Sequence, residues 1–142
     1  MKPQVAEWVR KAEDDFATLS REARVRKRPN YDGLCFHAQQ CAEKYLKACL
    51  QEARRPFPRT HDLVALLELL RAVGPTWEEW RPELNALTRS AVEVRYPGFS
   101  ATREDAREAC AIARSLRAAC RRHLGLDEPG RPRRRRSERS PR

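Results

Sequence analysis

The sequence predicts an all-α fold, an antiparallel up-down bundle of four long helices and one shorter one, and three observations carry that prediction. Apolar residues recur at steps of three and four through five separate segments, the period of a helix with one buried face. Only five glycines occur in 142 residues, and Ala, Leu, Arg and Glu are abundant, a composition that favours helix. The links between segments are short and contain prolines, which suits antiparallel neighbours. This length allows one domain with one modest core.

The first helix is expected over about Pro3–Arg24, with Val5, Trp8, Val9, Ala12, Phe16, Leu19 and Ala23 as its stripe. Pro3 suits a first turn. Glu13, Asp14 and Asp15 fall mid-helix and read as a solvated face, with a metal or a basic partner as the lesser alternative. The basic link RVRKRPN then leads into Tyr31–Gln51, the stretch around which the chain is organised. Its apolar positions are Tyr31, Leu34, Cys35, Ala38, Cys41, Ala42, Tyr45, Leu46, Cys49 and Leu50, on a rod of roughly 30 Å. Asn30 or Asp32 can cap its start, and Pro56 bounds its end. Its other side carries Phe36, His37, Gln40, Glu43, Lys44 and Lys47. The third helix follows as HDLVALLELLRAV, with Thr60 the expected N-cap, Asp62 in the first turn, and Gly74 and Pro75 at its end. The fourth spans roughly Thr76–Arg95, with Pro82 early in it or splitting off a short first turn. The fifth covers about Thr102–Leu124, burying Ala106, Ala109, Cys110, Ala113, Leu116, Cys120 and Leu124. Residues 1–124 therefore form the predicted bundle. Residues 125–142, GLDEPGRPRRRRSERSPR, bury no apolar face and are expected to be a disordered basic tail.

The formal net charge is +10. The tail supplies seven arginines against Asp127, Glu128 and Glu138, hence +4, and leaves +6 on the bundle. That excess points to polyanion contact. The tail by itself reads either as a phosphate-binding arm without sequence readout or as a solubilising end. No run of about 18 apolar residues occurs, so no membrane-spanning helix is expected, and no apolar signal core follows Met1. The five cysteines all fall within helical patterns and lack zinc spacing, which fits buried free thiols in a reducing cytoplasm. There is also no Gly-rich phosphate loop and no defensible Ser–His–Asp order, so neither cofactor nor metal is expected.

Four blocks in order carry a resemblance: AEDDF on the first helix, FHAQQCAEKYLK on the second, THDL opening the third and RYP ending the fourth. Together they resemble the HEPN domain family over about Val5 to Leu124. The resemblance implies a cytoplasmic, homodimeric helical bundle. It implies a role as partner of a minimal nucleotidyltransferase in a toxin–antitoxin-like pair, with nucleotide or RNA binding. Some members are metal-independent endoribonucleases; others are non-catalytic interaction modules or nucleotide sensors.

The ribonuclease branch of that family uses an Arg followed, four to six residues later, by a His. His61 with Arg54 or Arg55 meets that spacing, as does His123 with Arg117. A His can move the 2′-hydroxyl or leaving-group proton while Arg stabilises phosphate charge. With 25 arginines against three histidines, the spacing alone is weak evidence, and the Tyr that follows the His in one toxin subclass is missing at both. The bland reading of His61 is a helix-start residue bonded to backbone beside Thr60. His123 reads as a partner of the last turn's carbonyls, and His37 as an edge residue rather than a ligand. Phe36, Gln40, Glu43 and Lys47 share a second stripe on the second helix. Glu43–Lys47 is there an i,i+4 ion pair, so the stripe is either a salt-bridged solvent face or a dimer, partner or nucleotide-binding ledge that includes His37 and Lys44. Arg89, Arg95 and Tyr96 form either a phosphate clamp with a stacking ring or a structural end in which Arg95 pairs a carboxylate of the first helix.

Overall fold

The computed structural model describes residues 1–126 and is all-α over them, with no strand among the described residues. Its elements are α1 (Pro3–Ala23), α2 (Tyr31–Glu52), α3 (Leu63–Arg71), a 3₁₀ helix (Pro75–Trp80), α4 (Arg81–Glu93) and α5 (Arg103–His123). Helix α2 is central: α1, α3, α4 and α5 all pack on it. Its ten predicted apolar positions are buried, except for the half-buried Tyr31.

Asn30 caps α2, its Oδ1 accepting from the Gly33 N–H at 2.8 Å. A Cβ on Gly33 would stand 2.6 Å from the Asn30 amide, so this close cap needs a glycine. Asp32, the other candidate cap, instead accepts from the Ala101 N–H at 2.7 Å and ties the start of α2 to the approach to α5. Thr102 and Asp105 form a reciprocal capping box at the start of α5. Gly125, at φ 77°, closes α5, and the Leu126 N–H reaches back to the Arg121 carbonyl. Leu126 packs on the core. The remainder of the expected tail, 127–142, lies outside the described residues.

Two local expectations need correction, and one open alternative is decided. The cap of α3 is Asp62, not Thr60: Asp62 Oδ1 accepts from Val64 N and Ala65 N at 3.0 and 3.2 Å, while Thr60 Oγ1 serves the Asp62 N–H. The helix thus starts two residues after the expected point. The fourth helical segment takes the second of its two expected forms, a split-off first turn, because Pro82 has no N–H and its ring opposes the carbonyl four residues back. Trp77 and Trp80 sit on the 3₁₀ turn, and α4 starts afresh at Arg81. The acidic run of α1 is not a solvated face either. Asp14 is exposed, but Asp15 is buried and Glu13 is tied to α5 through Arg117.

Candidate functional site

One face of α2 turns Gln40, Glu43, Lys44 and Lys47 toward Trp8 of α1 and the loop before α3. These elements enclose an open cavity of about 510 Å³, closed on the loop side by Phe57, Arg59 and His61. The loop is fixed there by two features. Gln39, buried on α2, donates from Nε2 to the His61 carbonyl at 3.1 Å. Phe57 packs its ring edge on Trp8, with centroids 6.0 Å apart.

Glu43 is the hub. Its carboxylate is 3% exposed and receives Lys47 Nζ at 2.9 Å, His61 Nδ1 at 3.1 Å and Gln40 Nε2 at 3.5 Å. Lys47 is itself 7% exposed at the side chain, and its ammonium lies 5.2 Å from the Trp8 ring centre and 5.9 Å from that of Phe57. The aromatic faces and the carboxylate together compensate a buried cation. The pair expected on a solvent face is therefore an internal one, because the Phe57–His61 loop folds over it.

That hub decides the chemistry of His61. A carboxylate only accepts, so Nδ1 carries the proton it donates to Glu43, and in the neutral form of the imidazole Nε2 is the nitrogen with the lone pair. The His61 side chain is 81% exposed, so Nε2 is open to a ligand. An imidazole oriented by a carboxylate can transfer a proton in general, and here it shares the cavity with two aromatic rings and Arg59. Arg59 pairs with no carboxylate among the described residues, whereas Lys44 is already engaged by Asp15 at 2.5 Å.

A second network lies behind the first. Asp15 holds both Lys44 and His37, the latter at 2.7 Å from Nδ1. Glu13 accepts from Arg117 at 2.6 and 2.8 Å and also from the Tyr45 hydroxyl. Burial raises the Glu13 pKa, but the bonds from Arg117 and Tyr45 outweigh it and hold the carboxyl below the usual glutamate value. Arg117 stacks 3.9 Å from the Phe16 ring centre and is committed to this joint. The alternative pairing of Arg117 with His123 is thus not assembled; His123 lies edge-on to Trp77 instead.

The residues expected at a site divide into two groups. Gln40, Glu43, Lys44, Lys47 and His61 come together at the cavity, and His37 is linked to it through Asp15 and Lys44. Arg54 and Arg55 are exposed and do not line it; Arg59 does. Arg54 instead takes a left-handed conformation, φ 58°, and with Arg55 returns N–H groups to the carbonyls of Gln51 and Leu50, ending α2. Phe36 is 41% exposed beside the His37 ring. Arg89, Arg95 and Tyr96 lie exposed along and beyond α4, outside the cavity, and Arg95 makes no ion pair with α1 among the described residues. Sequence reasoning missed Trp8 and Phe57 as the cavity's rings, and Gln39 and Arg59. Trp8 sits on an ordinary apolar stripe and Phe57 between two prolines, so neither position signals a site. No group of three or more metal-ligating side chains occurs among the described residues.

A model described as the HEPN domain matches residues 5–123 of this chain. No curated protein and no solved structure matches it.

Proposed function

The chain belongs to the HEPN domain family, and from that premise we propose that it is a metal-independent endoribonuclease whose proton-transfer group is His61. Membership supports a nucleotide- or RNA-related role in general. The finer reading rests on one observation: the buried Glu43 carboxylate binds His61 Nδ1 while the rest of the His61 side chain stays exposed at the cavity. In this reading Nε2 takes the ribose 2′-hydroxyl proton, the oxygen attacks the adjacent phosphorus, and the 5′-oxygen leaves with a proton. Arg59 offsets charge on the phosphate, and the Trp8–Phe57 wall accepts a base. Two copies in a homodimer would bring a second imidazole to protonate the leaving oxygen. A minimal nucleotidyltransferase encoded as a toxin–antitoxin-like partner would control that activity in the cytoplasm. Arg54 and Arg55 then act as rim charges.

The test is RNA cleavage in EDTA by the full chain beside His61→Ala. Cleavage abolished by the substitution supports the proposal. Equal cleavage by both proteins refutes the assignment to His61. Absence of cleavage by either favours a second reading, a non-catalytic docking module for the transferase or a nucleotide sensor. The apolar side chains exposed at Val92, Tyr96 and Phe99 favour docking as that second reading.

A further inference from the structure

A second concave surface lies on the other side of α2. It is a groove of about 660 Å³ between the α1–α2 link, the start of α2 and α5. Leu34, Ala106 and Cys110 form its apolar floor, and the half-buried Tyr31 stands in one wall. Its rim carries five arginines and no acidic residue: Arg24 and Arg26 from the link, and Arg103, Arg107 and Arg114 from α5. The three on α5 are separated by four and seven residues, so they fall within about 40° of one another on the helix. None of the five forms an ion pair among the described residues; Arg114 only leans over the Phe16 ring.

This convergence works against stability. Arg103 and Arg107 are like charges at i,i+4, a mildly destabilising spacing. Three carboxylates at this end of the bundle bond to backbone N–H groups rather than to the rim arginines. Glu22 accepts from the Asn30 N–H at 2.6 Å, Asp32 from Ala101 N, and Asp105 from Thr102 N. Glu104 and Glu108, exposed on α5, likewise form no ion pair with the rim among the described residues, so the five guanidinium groups have no bonded carboxylate partner. An arginine fork fits phosphate oxygens, often bidentately, and a tyrosine beside it offers a face for a base.

We infer that this groove binds the phosphodiester backbone of single-stranded RNA, separately from the His61 cavity. It rests on the RNA reading above but uses other residues. Leu34 and Glu43 are nine residues apart, about 180° around α2, and Trp8 and Ala23 are separated by roughly 22 Å along α1. The groove grips a strand outside the cleavage site and confers affinity without base selection.

The experiment is fluorescence anisotropy of a labelled single-stranded oligouridine with the full chain over a salt series. Two charge-matched variants are compared: Arg103→Gln/Arg107→Gln/Arg114→Gln, and Lys2→Gln/Arg10→Gln/Arg71→Gln off the groove. Circular dichroism confirms that each is folded. The groove variant should lose on the order of tenfold in affinity, and the slope of log K against log salt should fall by about 2, near 0.7 per phosphate contact. The off-groove variant should lose clearly less. Equal losses, or no loss, would overturn the inference, since binding would then follow net charge or another surface. Displacement of the probe from the wild type by AMP at concentrations similar to those of unlabelled strand would also overturn it, because the occupant would then be a nucleotide. His61→Ala separates the two proposals: its oligouridine binding should still fall when the groove substitutions are added to it. Loss of cleavage in His61→Ala with unchanged binding by the groove variant refutes only the groove. Groove-dependent binding by a wild type that never cleaves refutes only the nuclease.

Discussion

Glu43 carries most of the information at the residue scale. As an exposed i,i+4 pair with Lys47 it would contribute well under 1 kcal/mol. Buried, with Lys47 and His61 both dependent on it, its removal leaves an uncompensated ammonium in the interior. Glu43→Ala should therefore cost about 3–5 kcal/mol in urea unfolding; a loss below 1 kcal/mol would mean that water reaches Lys47. The helix spacing showed that the two residues pair, but the spacing is identical for a surface pair and a buried one. Arg54 is a second such case. It occupies a left-handed position that glycine adopts without strain, as Gly125 does at the end of α5. Arg54→Gly should raise stability by about 0.5–1 kcal/mol, and a decrease would show that the arginine side chain contributes more than its backbone costs. Arg54 was conspicuous in the sequence as a candidate phosphate ligand; its role in ending α2 is visible only in its backbone angle.

At the scale of elements, α2 combines three functions that its sequence superimposes. One face is core, a second holds the cavity network, and its first turn borders the arginine groove. The core face was legible because Cys35, Cys41 and Cys49 continue the stripe set by Leu34, Tyr45 and Leu50. All five cysteines are buried, and burial pushes the Cys35 thiol up to about 11. Thiolate is the reactive form, so the folded protein should resist a thiol reagent at neutral pH, and labelling should track global unfolding in denaturant. Rapid labelling without denaturant would mean that α2 or α5 opens locally. Tyr45 shows what periodicity leaves out. Its ring is core, yet its hydroxyl reaches Glu13 of α1 and Arg121 of α5 and joins three helices. Pro82 shows the reverse: one residue without an N–H made a split-off first turn one of two readings of the fourth helical segment, and the structure takes that one.

At the scale of the whole molecule, carboxylates tie helices together. Glu13 joins α1 to α5, and Glu68 and Glu78 share Arg81 and Arg71 across α3, the 3₁₀ turn and α4. All three have depressed pKa values. In Glu13 the guanidinium and hydroxyl bonds outweigh burial; in Glu68 and Glu78 the bond from Arg81 dominates. A carboxyl whose folded pKa lies below its unfolded value adds stability above the unfolded pKa, and loses it as pH falls through the folded one. Stability should accordingly be level near neutrality and decline as the pH drops below the ordinary glutamate range, about 4. Glu13→Gln should lower the plateau and flatten that decline; an unchanged acid limb would place the titration elsewhere. No helix among the described residues is long and apolar enough to cross a membrane, in line with the absence of an 18-residue apolar run. By itself the sequence determined the helices, their buried stripes and the family, and narrowed the cap of α2 to Asn30 or Asp32, because each depends on residues close in the chain or on their order. The tertiary structure alone decided that Glu43 and Lys47 are internal, that Trp8 and Phe57 wall a cavity, that Arg117 belongs to Glu13 rather than to His123, and that five arginines share one groove. Those facts depend on which faces of α1, α2 and α5 meet, and a helical period states that a residue faces inward or outward without stating what it faces.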